Sequence, residues 1–267
     1  MGNRLKVEVL GPLGLSLGGV DAVPSAPKER QVLAVLLLNE SRVVPVSALI
    51  DELWGDEPPK SALTTVQTYI VNIRKTLVER WGLPVARVRG ELLTTVSTGY
   101  RFNTDHADHD LREYRRLVAA GRQAFHAGDE EGGVELLRRA EELRRGPVLV
   151  DVKRGRHLDT EIAGLEQAHL TVQESRIEAQ LRLGEHRELL GELFTLTPHH
   201  PYHEHLHGYL MLSLHRCGRR NQALEVFRGL RESMVRELGL EPSPWLLRLQ
   251  RDILRSVEPA DPGLSAG

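Results

Sequence analysis

The spacing of apolar positions along this chain switches between the strand period and the helix period. Near the N-terminus Leu5, Val7 and Val9 alternate with Lys6 and Glu8, which predicts a half-buried strand. Gly18-Gly19 predicts a hairpin turn. Pro27 then opens a helix where its missing N–H costs least, with Val32, Leu33, Leu36 and Leu37 as its buried stripe. Val46–Trp54 predicts a second helix with Leu49, Ile50 and Leu53 inward and Gly55 as its stop. Asp56–Lys60, containing Pro58-Pro59, forms a stiff loop, and a third helix starts near Ser61 as its cap. In that helix Leu63, Val66, Ile70, Ile73 and Leu77 fall at steps of 3, 4, 3 and 4, the signature of one buried stripe.

Two β-rich runs follow, Leu92–Val96 and Tyr100–Phe102, separated by Ser97-Thr98-Gly99. A three-residue loop ending in glycine predicts a hairpin with a left-handed glycine. Three helices followed by a β-hairpin is the winged helix-turn-helix arrangement, in which the third helix enters the DNA major groove. The polar, aperiodic run Asn103–Asp110 predicts a domain boundary. From about Leu111 to Ser256 the pattern is helical, and it repeats. Leu183-Gly184 with Leu189, Leu190 and Leu193 parallels Cys217-Gly218 with Ala223, Leu224 and Phe227, 34 residues on, the tetratricopeptide period. Ala127-Gly128 with Gly133, Val134 and Leu137 is a third copy out of phase. The predicted fold is therefore an α+β winged helix-turn-helix domain, 1–104, followed by an all-α tetratricopeptide-like repeat domain, 105–257. A Pro/Gly/Ser/Ala-rich tail, 258–267, is expected to be disordered.

Charge sharpens the third helix. Thr64, Thr65, Thr68, Asn72 and Lys75 lie off its buried stripe, with Val71 the lone apolar exception, and no carboxylate occurs before Glu79. Donors without carboxylates suit phosphates and base edges. The 267-residue chain has a formal net charge of −2, which by itself does not point to nucleic acid. The distribution does: residues 60–101 carry 7 Lys+Arg against 2 Asp+Glu, a net +5, whereas residues 1–59 carry 5 against 8. A local basic patch steers toward DNA even on a near-neutral protein. The single cysteine, Cys217, allows no internal disulfide and fits a reducing cytoplasm. Neither a signal peptide nor a membrane span is expected.

One motif points elsewhere. His203-Glu204-His205-Leu206-His207 satisfies the H-E-x-x-H zinc protease pattern, so a zinc hydrolase at His203, Glu204 and His207 is a remote alternative. The segment lies inside the repeat and within a generally His-rich flank, which favours plain surface or interface histidines. No phosphate-binding glycine loop or nucleophile elbow is present, and neither a cofactor nor a metal is expected. A second alternative is a tetratricopeptide-type interaction scaffold whose winged helix is a docking module.

Several strings carry a family resemblance over residues 5–255. They are LGPL at Leu10–Leu13, RQVLAVLLL at Arg30–Leu38, VPVSALIDELWGDEPPKSALTTVQTYI at Val44–Ile70, STGYRF at Ser97–Phe102 and ELGLEPSPWL at Glu237–Leu246. The chain resembles the Streptomyces antibiotic regulatory proteins, and its length resembles that of their small members. The resemblance implies an OmpR/PhoB-like winged helix and a bacterial transcriptional activation domain. It further implies an activator of antibiotic biosynthesis genes that binds direct repeats in double-stranded promoter DNA near the −35 element. A second protomer would lie on the adjacent repeat, and RNA polymerase would be engaged through its housekeeping sigma factor, in the cytoplasm at the nucleoid. Carried over, the DNA-binding positions are Thr64, Thr65, Thr68, Asn72, Arg74 and Lys75, with Thr98 and Gly99 in the wing. Asn72 stands where relatives place a base-reading arginine, and an amide there favours adenine. Arg74 is expected to clamp a phosphate, and Lys75 to reach a phosphate or a guanine. The wing lacks the usual Arg-Gly, so its contact should be weaker or backbone-mediated. Arg144 stands where the family often has a tryptophan.

Overall fold

The computed structural model describes residues 4–255; the tail expected at 258–267 lies outside them. The chain opens with β1 (Leu5–Glu8), β2 (Gly14–Leu17) and β3 (Val20–Asp21). Val7 lies opposite Leu15 across the antiparallel β1–β2 pair, so the alternating apolar positions share one buried face. Gly18 and Gly19 close the β2–β3 turn with φ 58° and 86°, both in the left-handed region that this hairpin turn requires.

Helix α1 (Pro27–Leu38) is buried at every position from Gln31 to Leu38. It is the central rod of the N-terminal core rather than a one-sided helix. The short strand β4 (Val44–Pro45) leads into α2 (Val46–Trp54), which buries Leu49, Leu53 and Glu52. Ile50, expected inward, is only half-buried. Helix α3 (Ala62–Trp81) buries Ala62, Val66, Ile70, Ile73 and Leu77. Leu63 was expected in this stripe but is 52% exposed. Ala62, four residues before Val66, continues the stripe, and Leu63 is turned a further 100° or so about the axis.

A short helix α4 (Val85–Arg87) and a π-helical turn at Val88–Leu92 precede β5 (Leu93–Val96) and β6 (Gly99–Phe102). These strands and β4 form a three-stranded sheet in the order β4-β6-β5. The hairpin differs from the sequence expectation. Its connection is the two residues Ser97-Thr98, and Gly99 already pairs with Val96 and Pro45 inside the sheet. A Cβ on Gly99 would lie 2.0 Å from the Val44 carbonyl oxygen. Glycine is needed there for backbone approach, not for a left-handed φ.

The polar run expected as a domain boundary contains β7 (Asp108–His109), which pairs in parallel with β1 and extends the first sheet to β3-β2-β1-β7. The helices that follow are α5 (Asp110–His126), α6 (Glu130–Glu142), α7 (Arg156–Arg182), α8 (His186–His199), α9 (Glu204–Arg216), α10 (Arg220–Leu238) and α11 (Pro244–Arg255). Two compact units result. One holds the residues up to Val118 with Arg139–His169, the other Ala119–Arg138 with the chain from Leu170 on.

In the first unit, buried carboxylates join the winged helix to the start of the helical half. Asp110 accepts from the N–H groups of Val9 and Leu10 at 2.8 Å each and of Leu111 at 2.7 Å, the last at the N-terminus of α5. Glu52 accepts from Gly155 N at 2.6 Å and Leu158 N at 2.9 Å, so an α2 side chain caps the N-terminus of α7. Arg144 meets Glu166 at 2.5 Å. Glu166 also accepts from Val148 N at 3.2 Å. An ion pair from Arg144, the residue that stands where the family often has a tryptophan, thus steadies the Gly146-Pro147 segment.

In the second unit the repeated glycines adopt one conformation. Gly128, Gly184 and Gly218 have φ of 81°, 82° and 76°. Each turn closes with the same pair of backbone bonds, from the glycine N–H and from the residue after it, the pattern of a Schellman cap. Around them Leu189, Leu193, Leu206, Tyr209, Phe227, Leu246 and Ile253 form a continuous core.

Candidate nucleic-acid interface

Helix α3 is held from three directions. At its C-terminal end the Trp81 indole Nε1 donates to Val20 O of β3 at 2.8 Å. Midway, Asn72 Nδ2 donates to Glu29 Oε1 of α1 at 2.7 Å. On its other flank Arg74 donates to Leu93 O of β5 from both Nε, at 3.0 Å, and Nη2, at 2.7 Å, and Nη2 also reaches Thr95 Oγ1 at 2.9 Å. The helix is thereby oriented by the first sheet, by α1 and by the wing together. The ends of the wing are set in turn by β4, whose neighbour Val46 N donates to Thr98 O at 3.1 Å.

The remaining surface divides by angle around the helix axis. Thr64, Thr68, Val71 and Lys75 are all exposed and fall at steps of 4, 3 and 4, which puts them on the pole opposite the buried stripe. Thr65 and Asn72 lie half-buried along one flank, and Gln67 and Arg74 lie along the other. The Thr65 and Thr68 hydroxyls donate to the carbonyls of Ser61 and Thr64, 2.9 Å away in each case. Their outward-facing capacity is then a lone pair and a methyl group. Lys75 is 3.7 Å from Glu79, with both side chains well exposed, and such a pair competes weakly with a ligand.

The structure therefore separates the expected DNA-binding residues by role. Thr64, Thr68 and Lys75 share the outward pole. Asn72 and Arg74, expected to reach base and phosphate, hold α3 in place through the bonds just described. Burial, reinforced by the charge of Arg89, pushes the Arg74 guanidinium below its usual range, although arginine stays charged at neutral pH. In the wing Thr98 is exposed, while Gly99 is buried against β4. Sequence reasoning missed three exposed side chains on or beside this face: Leu63 and Gln67 on α3 and Arg89 in the π-helical turn. For Gln67, three residues after Thr64 and four before Val71, the helical period was a sufficient signal.

The H-E-x-x-H segment has a structural role. His203 precedes the first turn of α9, and Glu204 accepts from Ser243 N at 2.7 Å, bracing the start of α11. His203 Nε2 lies 3.3 Å from Glu174, and His207 hydrogen-bonds back to His203 O at 3.1 Å. Among the described residues no group of three or more His, Cys, Asp or Glu is arranged to hold a metal ion. No helix among them is long and apolar enough to cross a membrane.

Comparison with known proteins agrees with this fold. Residues 21–102 match the profile "Transcriptional regulatory protein, C terminal", and residues 109–254 match "Bacterial transcriptional activator domain". The chain is 44% identical over 260 residues to Regulatory protein DnrI of Streptomyces peucetius, covering 97% of this chain and 94% of that protein. It is 32% identical over 254 residues to Transcriptional regulatory protein MoaR1 of Mycobacterium tuberculosis, covering 80% of that protein. It is 32% identical over 253 residues to Transcriptional regulator RedD of Streptomyces coelicolor, covering 71% of that protein. A solved structure of Mycobacterium tuberculosis EmbR in complex with a low affinity phosphopeptide superposes with a TM-score of 0.84 at 32% identity. That match covers 97% of this chain and 66% of the EmbR chain.

Proposed function

This chain belongs to the Streptomyces antibiotic regulatory protein family of DNA-binding transcriptional activators, and we propose that it activates a secondary-metabolite gene cluster by binding direct repeats near the promoter −35 element and recruiting RNA polymerase. The proteins it matches regulate transcription and are not enzymes. Residues 1–104 act as the DNA-binding domain and 105–257 as the activation domain. The outward pole of α3 enters the major groove. Thr64, Thr68 and Lys75 make the first contacts, and Thr65 and Asn72 follow along one flank. Arg74 reaches a phosphate through Nη1, the nitrogen that the wing does not use. The wing tip at Thr98, supported by Gly99, meets the sugar–phosphate backbone. The helical half offers surface to a second protomer on the adjacent repeat and to polymerase holoenzyme with its housekeeping sigma factor. The work takes place in the cytoplasm, at the nucleoid, and no cofactor enters the mechanism.

The observation that supports this reading best is the outward pole of a helix braced on three sides, without a carboxylate from Thr64 to Lys75, inside a segment of net charge +5. Phosphate contacts from such a face fix register, and a few base contacts specify it. DNase footprinting of the full chain on the promoters of its neighbouring gene cluster tests the proposal. Protection of two direct repeats overlapping the −35 region is expected. A protein-interaction scaffold would give no protection on any of these promoters, which would refute the proposal.

A further inference from the structure

The outward pole of α3 and the flank beside it carry two exposed apolar side chains on a surface expected to meet DNA. Leu63 is 52% exposed and Val71 is 48% exposed. Thr68, on the far side of Val71 from Leu63 around the axis, has its hydroxyl proton committed to the Thr64 carbonyl at 2.9 Å, so it offers a methyl group and an acceptor lone pair but no donor. No arginine or lysine stands on α3 before Arg74, and Arg74 is turned to the wing. Guanine presents two acceptors in the major groove and calls for a charged or bidentate donor. Thymine presents the one apolar group of the groove, its C5 methyl, and the paired adenine presents an amine donor beside it.

We infer that α3 reads thymine methyl groups, Leu63 and Val71 each packing on one, while Thr68 accepts from the amine of an adenine beside the thymine that Val71 meets. The inference rests on α3 being the recognition helix and adds what it recognises. Leu63 and Val71 are eight residues apart, a rise of about 12 Å along the helix with about 80° between their directions around it. That distance corresponds to about three to four base pairs at roughly 3.4 Å each. The two thymines should therefore be separated by that interval in each half-site. The absence of carboxylates along this face lets it approach the phosphates closely enough for methyl contact.

The test uses the full-length chain and a duplex selected by it from a random-sequence pool, resynthesised with deoxyuridine at one thymine at a time. Deoxyuridine removes only the C5 methyl. Loss of about fourfold in affinity is expected at each of two positions, the worth of one buried methyl-sized group. Val71→Ala should abolish the thymine-over-uracil preference at one position and leave it at the other, and Leu63→Ala should do the converse. Both side chains are exposed, and unchanged thermal melting of the variants verifies that folding is intact. Equal binding of thymine and uracil duplexes at every position overturns the methyl reading and leaves DNA binding standing. Failure to enrich any duplex overturns both.

Discussion

Removing the Glu52 carboxylate should loosen the helical half from the winged helix. Glu52 is 2% exposed, and its carboxylate accepts from Gln31 Nε2 at 2.7 Å, Gly155 N at 2.6 Å and Leu158 N at 2.9 Å. Glu52→Ala leaves the Gly155 and Leu158 N–H groups without their partner, while Gln31 Nε2 keeps only the Glu52 backbone oxygen at 2.9 Å. Hydrogen bonds to a charged group contribute about 1.5–3 kcal/mol each, and a buried donor left unmet costs about 1–3 kcal/mol. Because the three share one acceptor group and some water enters the space, the sum is not additive. The expected cost is about 3–5 kcal/mol, a large share of a typical domain stability of about 5–15 kcal/mol. Glu52→Gln keeps the shape and an oxygen for one or two of the donors but turns an NH2 toward the rest, and should cost about 2 kcal/mol. Urea denaturation of the full chain measures both. Hydrogen exchange should also show faster opening at Gly155 and Leu158, whose N–H groups lose their acceptor. A loss under about 1 kcal/mol for Glu52→Ala, with protection at Leu158 unchanged, would refute the argument that this carboxylate holds the start of α7.

Other perturbations follow from single contacts. Gly99→Ala drives a Cβ to 2.0 Å from Val44 O, so β4 must leave β6; roughly 2 kcal/mol or more of stability should go, seen as a lowered urea midpoint with weaker DNA binding. His109 and His207 both have their ring pKa pushed down, chiefly by burial. Their contribution to stability is therefore complete above the unfolded-state pKa of about 6.5 and is lost as pH falls through the lower folded value. A melting series from neutral to acid pH should show this decline, and His109→Gln, which does not titrate but can still donate to Leu37 O, should flatten it. Zinc at saturating concentration should leave the melting temperature unchanged, since among the described residues no third ligand completes a metal-holding group with His203 and His207 and His207 is engaged with His203 O at 3.1 Å; a metal-dependent rise that His203→Ala removes would contradict this.

What the sequence revealed was what local pattern can carry. The buried stripe of α3, Pro27 at the head of α1 and the three glycine turns are each specified within a few residues, and all are present in the structure. The wing was legible as a hairpin, yet the reason for Gly99 was not, because the obstructing carbonyl belongs to Val44 on another strand. Strand β7 is two residues long, too short for alternation to register, and exists through its pairing with β1. Nothing local to Glu52 in the sequence marks it as buried; only the arrival of α7 more than a hundred residues later makes it a buried cap. In the candidate interface the same divide holds. Thr64, Thr68 and Lys75 followed from helical spacing. The tethering of Asn72 to Glu29 and of Arg74 to Leu93 depends on partners 43 and 19 residues away, which no local pattern announces.

The central claim, that the outward pole of α3 faces DNA, is tested most directly by the salt dependence of binding. Affinity of the full chain for its footprinted duplex is measured over a series of salt concentrations, alongside Lys75→Ala. The Lys75 ammonium is exposed and weakly paired, so its loss should not affect folding. If it meets a phosphate, the slope of log affinity against log salt should shrink by about one, with weaker binding across all sequences. An unchanged slope together with unchanged affinity would mean that this face does not lie against DNA.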